Sequence, residues 1–184
     1  MMLQEILIAG FGGQGVMLMG QLIAYGAIYE GLEVSFFPSY GPEMRGGTAN
    51  CTVVISDERI GSPIRNLFSV LMAMNQASLD KFEDRVKPGG TIAYNETLVS
   101  NPPTRTDVTL LRIPANQIAM DIGEPQVANM VAVGGLTPTI GISLQAILKG
   151  LPRMLPDYRH HLIPINEEAV KRGAAAVSEK GGTA

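Results

Sequence analysis

Tryptophan is absent from this 184-residue chain, cysteine occurs once, histidine twice, and only 17% of residues are charged. Each shortage excludes something. The one thiol, Cys51, cannot close an internal disulfide or supply the four thiolates of a structural zinc or an iron–sulfur cluster. An average soluble domain is about 25% charged. Here fourteen basic and seventeen acidic side chains leave a formal net charge of −3, with no basic block. A protein that draws its affinity from a phosphate backbone needs a positive stripe, and one drawn to anionic lipid needs a polybasic cluster; neither is present. Nor is there the unbroken apolar run of roughly 20 residues that a spanning helix needs. The charge-poor stretch over 6–29 is interrupted by Gly10, Gly12, Gly13 and Gly15, and that over 125–148 by Gly134, Gly135 and Pro138. The opening residues Met1-Met2-Leu3-Gln4-Glu5 have no basic region and no small-residue cleavage site. The expectation is a cytoplasmic chain with neither nucleic acid nor membrane as partner.

What the chain has in quantity is apolar: 46% hydrophobic residues, ten of them methionine. Ile6-Leu7-Ile8-Ala9, followed at once by glycine, reads as a buried parallel strand. Residues 16–30 have helix composition and stop at Gly31, and Glu33-Val34-Ser35-Phe36-Phe37 is a second strand ending at Pro38. Strand, glycine turn, helix and strand make a βαβ unit, which favours a parallel sheet. A strand over 49–56 follows, with Asp57-Glu58 turning it back into Arg59-Ile60 as a ribbon. Further expectations are strands over 68–74, 91–94 and 108–113, and a turn at Lys87-Pro88-Gly89-Gly90. Helices are expected over 76–86, 115–122, 126–133, 139–148 and 167–177. The alternation argues for a single α/β domain over 1–180 with a flexible tail over 181–184.

The helix over 16–29 carries one plainly polar side chain, Gln21. A helix apolar all round is covered all round, and the 126–148 region has the same character. Two readings follow: a large protein–protein interface, to which methionine-rich surfaces are suited, or a generous core.

Gly10-Phe11-Gly12-Gly13-Gln14-Gly15 places a G-x-G-x-x-G pattern between a strand and a helix, where backbone N–H groups and a helix N-terminus can meet an anion. A dinucleotide site would add an acidic residue at the end of the second strand, where Phe37, Pro38 and Ser39 stand instead. A Walker loop would continue with Lys and Ser/Thr, where Val16 and Met17 stand. The turn therefore serves a phosphate or other anion, or else only close helix–strand packing. Ser39-Tyr40-Gly41-Pro42-Glu43-Met44-Arg45-Gly46-Gly47-Thr48-Ala49 follows the second strand and emerges at the same carboxyl edge. Arg45 can pair with a carboxylate or phosphate, Gly46 and Gly47 can expose N–H groups beside it, and Tyr40 and Thr48 offer hydroxyls. Ligand and partner subunit are equally good occupants. His160-His161 lacks a third metal ligand at suitable spacing, Cys51 opens an apolar strand as a small core residue would, and Asp80, Glu83 and Asp84 share a helix with Lys81 and Arg85. No catalytic pair and no metal site emerges.

With these two motifs in this order, and with Asn129-Met130-Val131-Ala132-Val133-Gly134 as a weaker third, the chain resembles the gamma subunit, or gamma domain, of the 2-oxoacid:ferredoxin oxidoreductases over nearly its whole length. The form Glu43-Met44-Arg45-Gly46-Gly47-Thr48-Ala49 is most similar to the 2-oxoglutarate branch; pyruvate and ketoisovalerate enzymes are close relatives. The resemblance implies an α/β, Rossmann-like three-layer domain with a mainly parallel sheet and a β-ribbon excursion. It implies oxidative decarboxylation of a 2-oxoacid with coenzyme A, giving acyl-CoA, carbon dioxide and reduced ferredoxin. Thiamine diphosphate with Mg2+ and iron–sulfur clusters would be carried by alpha, beta and ferredoxin-like delta subunits, because this chain has no Gly-Asp-Gly motif and no cysteine ladder. Alone it would be inactive, bind no cofactor, and could self-associate. Its expected share is assembly and the coenzyme A side, through Gly10, Gly12, Gly13, Gln14, Gly15, Tyr40, Arg45, Gly46, Gly47 and Thr48. The rival is a free-standing nucleotide- or anion-binding Rossmann-like protein.

Overall fold

The computed structural model describes residues 2–40, 48–62 and 64–178. Six strands form one sheet in the order β2-β3-β1-β4-β5-β6: β1 Leu3–Phe11, β2 Glu33–Tyr40, β3 Thr48–Ser56, β4 Phe68–Ala73, β5 Val86–Asn95 and β6 Thr109–Ile113. Five run in one direction and β3 alone runs against them. The mainly parallel α/β architecture is as expected, and β1 and β2 run parallel as the βαβ unit requires, but the ribbon lies elsewhere than expected. β2 does not lie beside β1, because β3 is inserted between them and pairs with both. The antiparallel excursion is thus β2–β3, and Arg59-Ile60 forms no strand. β2 is left at the sheet edge, where Pro38 costs little because edge strands tolerate a missing N–H.

Side chains alternate across the sheet as a pleat requires. Ile6 and Ile8 of β1, Cys51 and Val53 of β3, and Val70 and Met72 of β4 face five helices: α1 Val16–Tyr29, α3 Ala115–Ile122, α4 Ala128–Ile140, α5 Leu144–Met154 and α6 Ile163–Ser178. Leu7, Ala9, Leu71 and Ile92 face the other way and meet α2, Gln76–Phe82, through Leu79 and Phe82. The three layers are unequal: among the described residues α2 is the one helix on that second face, and Phe37 on the β2–β3 half of it is 49% exposed.

The helix over 76–86 is shorter than expected. α2 tightens into a 3-10 turn at Glu83–Arg85, and Val86 already begins β5. The residues read as a turn at 87–90 lie inside β5 as a bulge, where the register with β4 jumps from Phe68↔Val86 to Val70↔Thr91.

The helices expected over 126–133 and 139–148 are divided differently. α4 runs through Gly134, Gly135 and Pro138, and α5 begins only at Leu144. The two glycines are contact points, not breaks. A Cβ on Gly134 would drive into the Val170 carbonyl oxygen of α6, and one on Gly135 would come 2.6 Å from Cδ1 of Ile113. Pro138 has no N–H for the Gly134 carbonyl four residues back, and the Thr137 hydroxyl donates to that carbonyl instead, at 2.8 Å.

That course also resolves the puzzle of two apolar helices. α4 is buried from Ala128 through Thr137, with α1, α3 and α6 packed around it, so its composition is explained within the chain. α1 packs on β2, β3 and α5 but keeps an outer face, where Leu18 and Tyr29 are partly open and Ile28 is 55% exposed. Gln21, Tyr25 and Ile28 line a cleft of about 380 Å³ with Phe36 and Met154. No helix among the described residues is long and apolar enough to cross a membrane.

Candidate functional site

The carboxyl ends of β1 and β4, the start of β3 and the N-termini of α1 and α2 converge at one edge of the sheet. Gly10 and Phe11 close β1, paired with Ala49 and Thr48 of β3, and Tyr40 of β2 pairs with Ala49 on its other side. The glycine turn, Tyr40 and Thr48 are thereby brought to one place. Arg45, Gly46 and Gly47 lie outside the described residues.

The turn uses its glycines unequally. Gly13 has φ 97° and Gly15 φ 73°, left-handed values that glycine adopts without strain, while Gly12 has none. Gly15 caps α1 with no side-chain hydrogen bond, so the N-cap residue leaves the first N–H groups of α1 without an acceptor of its own. A Cβ on Gly13 would meet nothing within 4 Å, so the turn is open on that side. A Cβ on Gly10, by contrast, would lie 2.8 Å from both Gln14 Oε1 and Val16 Cγ2.

Gln14 folds back into its own turn. Its Oε1 accepts from the Phe11 N–H at 2.7 Å and from Asn75 Nδ2 at 2.7 Å, while Nε2 lies 3.4 Å from the Met74 carbonyl. Asn75 in turn caps α2, its Oδ1 accepting from Ser78 N at 2.9 Å. One carboxamide pair therefore fixes two helix N-termini relative to each other. Asn129, 7% exposed, packs its amide nitrogen against Gly15 from the start of α4, while its Oδ1 accepts from Met130 N at 3.0 Å. The sequence reading did not place Asn75 or Asn129 in the site. Asn75 stands immediately before a helix, which is a capping signal; Asn129 had only its place in the weaker third motif.

The chemistry at this edge is that of neutral donors. Among the described residues no group of three His, Cys, Asp or Glu side chains stands together to hold a metal. Tyr94, near the end of β5, has its phenol pushed up by burial and stays a neutral hydroxyl. Cys51 lies in the core with its thiol 3.4 Å from the Val16 carbonyl, and burial pushes that thiol up to about 12. It is no nucleophile in that state. His160 sets Nε2 between the Pro152 and Leu155 carbonyls at 3.1 and 3.0 Å, a structural role. What the edge can do is receive an anion or a polar segment with backbone N–H groups.

Similar proteins match most of the chain. The ketoisovalerate oxidoreductase subunit VorA of Methanothermobacter thermautotrophicus is 48% identical over 130 residues, which are 71% of this chain but 27% of that protein. The chain thus spans little more than a quarter of that longer relative. The 2-oxoglutarate synthase subunit KorC of Methanocaldococcus jannaschii is 40% identical over 160 residues, 83% of this chain and 86% of that one. Among solved structures, the 2-oxoglutarate:ferredoxin oxidoreductase of Magnetococcus marinus, with 2-oxoglutarate, coenzyme A and succinyl-CoA bound, superposes with a TM-score of 0.87 at 28% identity, covering 96% of this chain and 31% of that one. Residues 5–176 match the model of the family described as pyruvate ferredoxin/flavodoxin oxidoreductase. On that span, and on the KorC likeness, this chain belongs to the pyruvate ferredoxin/flavodoxin oxidoreductase family.

Proposed function

We propose that the chain is the gamma-type subunit of a thiamine-diphosphate-dependent 2-oxoacid:ferredoxin oxidoreductase. The complex converts 2-oxoacid, coenzyme A and oxidised ferredoxin into acyl-CoA, carbon dioxide and reduced ferredoxin. 2-Oxoglutarate is the substrate to try first, because the KorC likeness runs through most of that protein. Thiamine diphosphate supplies the carbanion chemistry and iron–sulfur clusters accept the electrons. The donor set here suits neither group: one thiol, buried, and no acidic or His cluster among the described residues. Those groups are assigned to alpha, beta and delta partners, and this chain to assembly and to the coenzyme A side.

The observation that carries the coenzyme A assignment is the meeting of the open, uncapped turn at 10–15 with Tyr40 and Thr48 at one sheet edge. Gly12, Gly13 and Gly15 would let a phosphate oxygen approach backbone N–H groups, with the positive end of α1 behind them. Arg45, which follows Tyr40 in sequence and lies outside the described residues, would supply a cation for that phosphate, with Gly46 and Gly47 offering N–H groups. Gln14 holds the turn in shape rather than touching the anion.

The test is co-expression of the tagged chain with the subunits encoded beside it, followed by viologen reduction with 2-oxoglutarate, pyruvate or 2-oxoisovalerate. Arg45→Ala and Gly12→Ala are expected to leave the complex assembled and to raise the KM for coenzyme A about tenfold or more, the value of a charge-assisted hydrogen bond. An unchanged KM in an intact complex sinks the coenzyme A assignment. A partnerless, well-behaved monomer sinks the subunit reading and favours a free-standing anion binder.

A further inference from the structure

A second cationic feature lies away from the glycine turn, beside the part of the sheet face over β2 and β3 that no helix among the described residues covers. Glu5 is buried at the centre of it, ion-paired with Arg65 at 2.6 Å and with Lys87. Arg85 stands beside Arg65 and has no carboxylate partner among the described residues. Its Nε donates to the Asn66 carbonyl at 2.9 Å and its Nη2 to the Arg65 carbonyl at 3.1 Å, and it lies 5.0 Å over the Phe68 ring. A guanidinium has five N–H donors in a rigid fork. With two spent on carbonyls, the outer edge of Arg85, Nη1 and the second Nη2 hydrogen, has no acceptor among the described residues. Arg65 spends Nη1 on the Ser62 and Ile64 carbonyls, at 2.6 and 3.1 Å.

Both arginines line one groove of about 140 Å³, together with Ser39, Asn50 and Thr52 and the apolar Leu7, Phe37 and Ile64. Of the two cations that line it, Arg65 is paired with Glu5, while Arg85 has no carboxylate among the described residues. Arg85 is held in place by backbone carbonyls and aromatic faces, so little conformational entropy remains to be lost on pairing. The space accommodates one oxyanion and no nucleotide. We infer that this groove is a binding site for a single phosphate or carboxylate group on an otherwise apolar ligand, with the outer edge of Arg85 as its fork and Thr52 and Asn50 as auxiliary donors.

This inference stands apart from the glycine turn, and one experiment separates the two. The full chain, labelled with nitrogen-15, is titrated with sodium phosphate and, in a second arm, with sodium acetate, at an ionic strength held constant with sodium chloride. Saturable shifts of the Arg85 Nε–Hε signal and the Thr52 amide are expected. The arm with the tighter saturation tells a phosphate-bearing ligand from a carboxylate-bearing one. Arg85→Gln is expected to weaken that binding about tenfold or more, the loss of one charge-assisted hydrogen bond. Thr52→Val keeps both arginines and the groove's shape, and should weaken it severalfold even if Arg85→Gln fails to fold. Absence of saturation in both arms, or unchanged binding in these variants, overturns the inference. Shifts confined to residues 10–15 overturn it too, while supporting the turn as an anion site.

Discussion

Asn75 donates its side-chain N–H to the carboxamide oxygen of Gln14 at 2.7 Å, across 61 residues of sequence, and so ties the glycine turn after β1 to the start of α2 after β4. The contact separates two roles that the turn could have. Gln14→Ala strips Asn75 Nδ2 and the Phe11 N–H of their shared acceptor, and should cost about 1–3 kcal/mol, read by urea denaturation. Gln14→Glu keeps an oxygen that accepts from both but puts a negative charge in the turn. A modest loss of stability, because a carboxylate oxygen then faces the Met74 carbonyl, together with weakened coenzyme A binding by the complex is the expected result. Equal coenzyme A binding in Gln14→Glu would mean that the turn only packs.

Thr137 and Pro138 form a second coupled pair. Thr137→Val removes the hydroxyl that donates to the Gly134 carbonyl at 2.8 Å, in a helix that is buried there. A loss of about 1–3 kcal/mol is expected. Pro138→Ala supplies a backbone N–H to the same carbonyl, so Thr137→Val should cost clearly less in that background. A double-mutant cycle measures the coupling; strictly additive effects would show that the hydroxyl does not compensate for the proline.

Gly134 and Gly173 mark where α4 and α6 touch backbone to backbone. A Cβ on Gly134 would run into the Val170 carbonyl, and one on Gly173 into the Val131 carbonyl. Neither carbonyl can turn aside without breaking its helix. Alanine at either site should destabilise by about 1–3 kcal/mol or more through overpacking, visible as a lowered Tm. Gly13→Ala is the contrast: it meets empty space and carries only the strain of its φ of 97°.

These pairs show what a linear reading can and cannot reach. The strand at the start, the turn at 10–15, the first helix and α3 are all written in local signals: short apolar runs, glycine and periodicity. Which strands pair is not. The insertion of β3 between β1 and β2 depends on residues some 45 positions apart meeting in register, and nothing in the alternation of either strand selects that partner. Gly134, Gly135 and Pro138 read as breaks because their local cost is plain, whereas the Val170 backbone, Ile113 and Thr137 that offset it come from packing. The glycine turn was legible as a possible anion site, but Asn75 and Asn129, which shape it, reach it only through the fold.

Cys51 gives a prediction in which burial outweighs a backbone hydrogen bond from Gly20 and sets the chemistry. It stands in the middle of the sheet, its thiol directed at the Val16 carbonyl and pushed up to about 12 by burial. At pH 8 only about one molecule in ten thousand would then carry the thiolate, so the native chain should resist an aromatic disulfide reagent and react only after unfolding. The sign of the linkage follows. The unfolded thiol loses its proton near pH 9 while the folded one keeps it, so the unfolded state binds fewer protons between about 9 and 12. The thiol's contribution to stability is intact below pH 9 and declines as pH rises through that window, at up to about 1.4 kcal/mol per pH unit. Cys51→Ala should flatten this alkaline slope, though it leaves a small cavity beside Gly20. Rapid modification of the native chain at pH 8, or an alkaline slope unaltered in Cys51→Ala, would contradict it.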